Sequence, residues 1–299
     1  MTDAQRTTIV WKRRLPGLIM SAPAVAVFVA MFVIPMFLAF GLSLTDWNGF
    51  SLDFTFIGLD NYLEAFKNPR TIDAATFTAV IAVVGTLLSN ALGLGLATLI
   101  SGKGALNTLA RMTFFYPYII SALIIGFLWS ALLAPQGVVN NILMRFGATP
   151  VPFLSDPDFA KATLIFTIVW SSFGFNMILY IAGLKSIPTE YYEAATVDGA
   201  GGWARFRRIT LPLLAPVVTV NLVLSTVGLL KVYDIVLVLT DGGPAGSTQT
   251  IVYQILKESF VNAKLGFGSA QSVLLLIVTA VAGLVVALSR RRAENRVSE

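Results

Sequence analysis

Two groups of residues in this sequence could do chemistry, and both are sparse. The first is Lys231 with Asp234, three residues apart in an otherwise apolar stretch. On a continuous helix that spacing places both on one face. An ammonium and a carboxylate there either neutralise each other, with Lys231 snorkelling outward, or line a polar pathway. The second group lies in 185–212, where Glu190, Glu193 and Asp198 precede Arg205, Arg207 and Arg208. Neither group builds a catalytic centre. The chain has no Cys and no His, which removes thiolate chemistry, disulfides, the commonest metal ligand and the neutral-pH proton shuttle. No Gly-x-x-x-x-Gly-Lys-Ser/Thr segment is present to cradle ATP. The expectation is a chain with no enzymatic activity and no bound cofactor.

The elements that position these residues are membrane helices. Of 299 residues, 56% are hydrophobic and 12% charged, about half the charge of a soluble domain. Six stretches, 15–45, 74–102, 112–144, 162–184, 209–230 and 265–289, contain no Asp, Glu, Lys or Arg. A bilayer-spanning helix needs about 20 apolar residues. The stretches therefore predict spans over 18–42, 77–100, 112–133, 163–184, 213–240 and 271–289. The first is too long for a signal peptide and reads as a retained span, with Pro23 and Pro35 as kink positions. Residues 43–76, with Trp47, Phe56, Tyr62 and Phe66, read as an external interfacial helix or cap. Residues 138–146 read as a short external helix. The fold class is all-α and polytopic, divided into 1–74, a five-helix core over 75–289 and a tail over 290–299.

Charge sets the orientation. With loops assigned alternately to two sides, fourteen Lys and Arg fall on the side of both termini and the 185–212 loop, and six on the other. Basic residues accumulate on the cytoplasmic side. Both termini are thus expected in the cytoplasm, and the net charge of +5 follows from topology, with no nucleic acid implied.

The 185–212 loop has a definite local logic. Pro188 and Thr189 open a helix, with Thr189 as N-cap and Glu190 and Glu193 at its positive end. Ala194 and Ala195 are small enough to let another surface approach. Gly199, Gly201 and Gly202 end the helix and permit a tight turn. Arg205, Arg207 and Arg208 can meet anionic headgroups of membrane lipid, and Leu211-Pro212 opens the next span. These features fit an interfacial helix and a docking helix equally.

Spacing separates the two. Glu193-Ala194-Ala195, then Gly199, then Ile209-Thr210-Leu211-Pro212 resembles the EAA motif of ABC importer permeases. Phe56–Tyr62 and Thr240–Pro244, followed by Thr248, Thr250 and Tyr253, resemble segments of carbohydrate permeases of the maltose and glycerol-phosphate type. The resemblance implies a type I ABC importer transmembrane domain in a bacterial plasma membrane. It implies a second homologous permease, an ABC ATPase dimer that holds ATP and Mg and docks on the loop, and an extracytoplasmic solute-binding protein. The extra amino-terminal spans and large periplasmic insertion of the maltose subunit are absent.

A sugar path needs hydrogen-bonding groups and aromatic faces rather than charge. Tyr118, Ser172, Asn176, Asn221 and Ser225 are the candidates at membrane depth, and Asn221 and Ser225 share a helical face. Polar residues of this kind also bind helices to one another. Trp129 and Trp170 read as packing or interface anchors. Alternatives are a permease for a polyamine or amino acid, and a non-transporting membrane anchor or assembly factor.

Overall fold

The structure is a computed structural model and describes residues 20–51 and 53–298, with side chains described to residue 290. The first two residues of the expected first span, the amino-terminal Arg6, Lys12, Arg13 and Arg14, and the side chains of Arg291, Arg292 and Arg296 lie outside this description. Among the described residues there is no strand, only the isolated antiparallel bridge between Thr45 and Phe56.

In chain order the helices are α1 (Met20–Leu42), α2 (Asp60–Lys67), α3 (Pro69–Ile100), α4 (Ala105–Ile119), α5 (Ala122–Leu133), α6 (Val138–Arg145) and α7 (Pro157–Ser186). They continue as α8 (Glu190–Val197), α9 (Gly202–Leu213), α10 (Ala215–Leu229), α11 (Asp234–Leu239), α12 (Ile251–Leu256) and α13 (Leu265–Ser298). Five helical segments are long and apolar enough to cross a membrane, and a sixth if the bent α9–α10 pair counts as one span.

Several spans differ from their sequence expectation. Helix α3 starts at Pro69, well before the expected 77. Asn68 caps it, its side chain accepting from the Arg70 and Thr71 amides at 3.0 and 3.4 Å, and Pro69 suits the first turn, where no amide donor is needed. The third span, expected at 112–133, is broken into two helices, and the segment long and apolar enough to cross a membrane is Ala122–Arg145, α5 together with the α6 that was expected as a separate external helix. α4 carries Pro117 near its end, and the chain turns extended at Ile120 before α5 begins; proline removes a helical hydrogen bond and loosens the turn around it. The fifth is also interrupted. A bend of 68° separates α9 from α10, next to Pro212 and Pro216, and α10 ends at Leu229, eleven residues short of the expected 240. Along α1, Pro35 sits two residues after a π-helical turn over Val29–Val33.

The centre of the bundle is α3 against α7, with α4, α10 and α13 around them. Ile81, Leu164, Ile168, Leu229 and Val236 form one core, and Ala97, Met177, Tyr180 and Ile181 a second. Small residues let the backbones approach. A Cβ on Gly93 would stand 2.9 Å from the Asn176 Cβ and the Met177 amide nitrogen, and one on Gly174 would collide with the Phe114 carbonyl oxygen. Close contact through small residues is the main source of helix association where lipid is as apolar as the helices. The described part of α1 buries none of its residues and leans mainly on α13.

The segment after α1 is tied down by polar staples. Buried Asn61 donates to the carbonyls of Ser43 and Thr45 at 2.9 and 2.8 Å, and the Tyr62 and Ser43 hydroxyls are 2.6 Å apart. Beyond α11, Tyr253 donates to Asp241 Oδ1 at 2.8 Å, and Thr248 donates to the Thr240 hydroxyl at 2.8 Å. Burial first, and then the Asp241 carboxylate, push the Tyr253 phenol pKa up to about 12.

Candidate functional site

The loop between α7 and α10 is built from its own hydrogen bonds. α8 ends in a left-handed residue, Gly199, with φ of +73°. The Gly199 amide donates to the Thr196 carbonyl at 3.1 Å and the Ala200 amide to the Ala195 carbonyl at 2.9 Å. This pair of bonds is the Schellman closure, which satisfies carbonyls a helix end leaves free. The expected cap at the other end differs. Thr189 occupies the N-cap position in a helical conformation, and its side chain makes no capping bond. Its carbonyl accepts from the amides of Tyr192 and Glu193 instead.

Two side-chain contacts hold α8 onto α9. The Tyr192 and Thr210 hydroxyls are 3.0 Å apart, and Arg205 Nη1 donates to the Thr196 hydroxyl at 3.1 Å. Of the two alanines expected to face a partner, only Ala194 is exposed; Ala195 is 9% exposed and packs within this chain. Glu190, Glu193 and Asp198 are exposed, and so are Tyr191, Val197 and Trp203. The last three were not singled out from the sequence, where an aromatic or valine beside apolar spans carries no sign of pointing outward. Ile209, Leu211 and Pro212 lie on α9, whose π-helical turn covers Phe206–Thr210; Leu214, just beyond, is fully buried and anchors the bend. The result is a rigid step with acidic groups, a small residue and exposed apolar side chains.

Within the bundle, a cavity of about 310 Å³ is lined by Ser89, Tyr118, Ser172, Phe175, Asn176, Leu224, Ser225, Gly228 and Leu229. Four of the five expected path residues meet there. The fifth, Asn221, is fully buried beside Tyr180 and does not line the cavity; one helical turn along α10 moves it into the α3–α7 contact. The Tyr118 and Phe175 rings stack with centroids 4.7 Å apart, and Tyr118 is 46% exposed. The polar residues also bind the helices together. Ser225 Oγ accepts from Asn90 and Asn176, both at 3.2 Å, and Tyr180 donates to Asn90 Oδ1 at 2.7 Å. The Ser89 and Ser172 hydroxyls are 2.9 Å apart. Helix adhesion and cavity lining, the two readings of these residues, coincide. Ser89 and Asn90 were missed, although two adjacent polar residues in a charge-free span were a usable signal. Phe175 gave none. Trp129 stands edge-on to Phe166 and Trp170 at 5.1 and 5.4 Å, outside this cavity.

The expected pairing of Lys231 with Asp234 is not formed. α10 stops at Leu229, and residues 230–233 make a turn before α11, so the i, i+3 geometry of a continuous helix is lost. Both side chains are exposed, and the ion pair found among the described residues is Lys264 with Glu64 at 3.7 Å.

An apolar multispan bundle with an uncharged polar cavity has the build of a class, the membrane permease. Residues 89–299 match the family described as binding-protein-dependent transport system inner membrane component. The chain belongs to that family, and its fold is that of a type I ABC importer transmembrane domain. It is 35% identical over 268 residues to the trehalose/maltose transport system permease protein MalF of Thermococcus litoralis, covering 88% of this chain and 89% of that one. It is 32% identical to the diacetylchitobiose uptake system permease protein NgcF of Streptomyces coelicolor, over 89% and 79% of the two chains. A solved bacterial ABC transporter involved in import of the acidic polysaccharide alginate superimposes with a TM-score of 0.84 at 27% identity, covering 96% of this chain and 99% of that one.

Proposed function

We propose that this chain is the permease subunit of a bacterial sugar or glycoside importer. It shares the translocation path with a second, homologous permease and receives solute from an extracytoplasmic binding protein. An ATPase dimer, carrying ATP and Mg, docks on the 185–212 loop. Both termini lie in the cytoplasm of a multi-pass plasma-membrane protein.

The observation that carries the solute class is the cavity lining. It offers hydroxyls, an amide and a stacked Tyr118–Phe175 pair, and it contains no ionisable carboxylate or amine. Hydroxylated rings are recognised by such groups. A polyamine or a free amino acid would be desolvated there without a counter-charge, which costs several kcal/mol. Relatives named for trehalose, maltose and diacetylchitobiose support the same solute class. The test is uptake by proteoliposomes carrying this chain with its second permease, ATPase and binding protein. ATP-dependent uptake of a neutral oligosaccharide, with none when the ATPase is omitted, is the expected result. Uptake of a polyamine or amino acid in preference to any sugar overturns the solute class. A chain that moves nothing with all partners present returns the anchor reading.

A further inference from the structure

We infer that the chain carries a binding slot for one anionic phospholipid at the end of the bundle formed by α2 and the starts of α3 and α13. An apolar cavity of about 310 Å³ opens there, lined by Phe66, Ile72, Ala75, Ala79, Leu274 and Val278 among others. Along α3, Ile72, Ala75 and Ala79 share one exposed face, and the two alanines leave a groove where larger side chains would close it. From Ile72 to Ala79 the helix rises about 10 Å, enough for the upper part of an acyl chain. Phe66, 68% exposed, stands over the groove.

The groove's upper end specifies the head group. Leu63 and Phe66 on α2, with Leu59 at its N-cap, form an exposed apolar stripe, the arrangement of a helix lying in the membrane interface. Directly after it come Lys67 and Arg70, both exposed and neither within ion-pair distance of a described carboxylate. Glu64 on the same helix is already engaged by Lys264. Asp60 and Glu258 line the adjoining polar cleft, but Glu258 is buried and bonded to Gln254 at 3.0 Å. Lys67 and Arg70 line the polar cleft beside the slot, next in the chain to its lining residues Phe66 and Thr71, while Asp73 shares a second cleft with Arg70 without pairing to it. Two cations without an ion-pair partner beside an apolar slot match a phosphate above an acyl chain. Gln271 also lines the slot. Its Nε2 donates to the Thr71 hydroxyl at 2.8 Å, while its Oε1, though buried, has no partner. A lipid with a hydroxyl on its head group could supply that missing donor, whereas a trimethylammonium group could not.

The inference rests on the chain spanning a membrane, not on which solute it carries. The probe is phosphatidylglycerol with a photoactivatable acyl chain, added to the assembled transporter in nanodiscs. Sites of labelling are read by mass spectrometry, with phosphatidylcholine carrying the same photoactivatable chain as the comparison. Labelling should concentrate on 66–79 and 274–278 and favour phosphatidylglycerol. Ala75→Phe should abolish it there while labelling of α1 persists. Lys67→Gln and Arg70→Gln sit on exposed side chains that folding does not need. Each should cut the head-group preference roughly fivefold. Equal labelling by the two lipids, or a preference unchanged in the Lys67→Gln/Arg70→Gln double variant, overturns the inference. So does absence of labelling in the slot with protein–protein cross-links in its place, which would show that another subunit covers it.

Discussion

Gly199 is the position where a small change should separate folding from coupling. Its φ of +73° is one that side chains resist, yet a Cβ built there meets nothing within 4 Å. The cost of a substitution is therefore conformational and not steric. Placing an L-residue in the left-handed region costs about 1–2 kcal/mol, and asparagine is tolerated better than most. β-branching makes Val a worse fit. A loss of about 1–2 kcal/mol shifts the population of the closed α8 end roughly five- to thirtyfold. Gly199 and Ala200 amide protection should fall by that factor in Gly199→Val and much less in Gly199→Asn. Binding-protein-stimulated ATP hydrolysis by the assembled transporter should fall in the same order, with unchanged expression and membrane insertion. The assay pairs hydrogen exchange over 194–202 with ATPase rate in nanodiscs. Equal exchange and equal ATPase rates in wild type, Gly199→Asn and Gly199→Val would refute the reasoning, because the left-handed turn would then be irrelevant to docking.

Other outcomes follow from the same geometry. Ala194→Trp, on the exposed side of α8, should reduce ATPase co-purification without changing thermal stability, whereas Ala195→Trp, on the buried side, should lower stability as well; the comparison is pull-down against thermal unfolding in detergent. Ser225→Ala removes the acceptor shared by Asn90 and Asn176, and should cost about 1–3 kcal/mol of stability by leaving buried donors unpaired. Tyr118→Ala should cut sugar uptake about two- to tenfold through loss of the stacked pair, with ATP hydrolysis retained; equal loss of both activities would assign Tyr118 to packing alone. Lys231→Met and Asp234→Asn, exposed and unpaired here, should combine additively within about 0.5 kcal/mol in unfolding measurements. Tyr253 has a folded-state pKa near 12 against an ordinary 10. Its contribution to stability is therefore complete below pH 10 and fades as pH rises towards 12. Tyr253→Phe should remove the corresponding late step from an ultraviolet titration.

What the sequence determined by itself was the set of features that depend on composition along the chain. Charge-free stretches of bilayer length located the apolar helical regions, because a hydrocarbon layer accepts only long apolar runs with internally paired backbones. The 185–212 loop was legible for a related reason. Glycine and proline at 188, 199 and 212 act on the backbone within a turn or two, so its helix, stop and re-entry into the bundle could be read from neighbours. Tertiary structure decided which side of a helix faces what. α3, α8 and α10 carry no one-sided apolar stripe, and such a helix gives no sign of which face is buried. Hence Ala195 turned inward while Ala194 stayed out, and Asn221 went to a helix contact while Ser225 reached the cavity. The third and fifth spans were read as continuous because hydropathy does not register a break at Ile120 or Leu230. That same break parted Lys231 from Asp234, whose spacing promised a pair only on an unbroken helix. Phe175 joined Tyr118 through the close approach of α4 to α7 at Gly174, a contact between segments some sixty residues apart that no local pattern encodes.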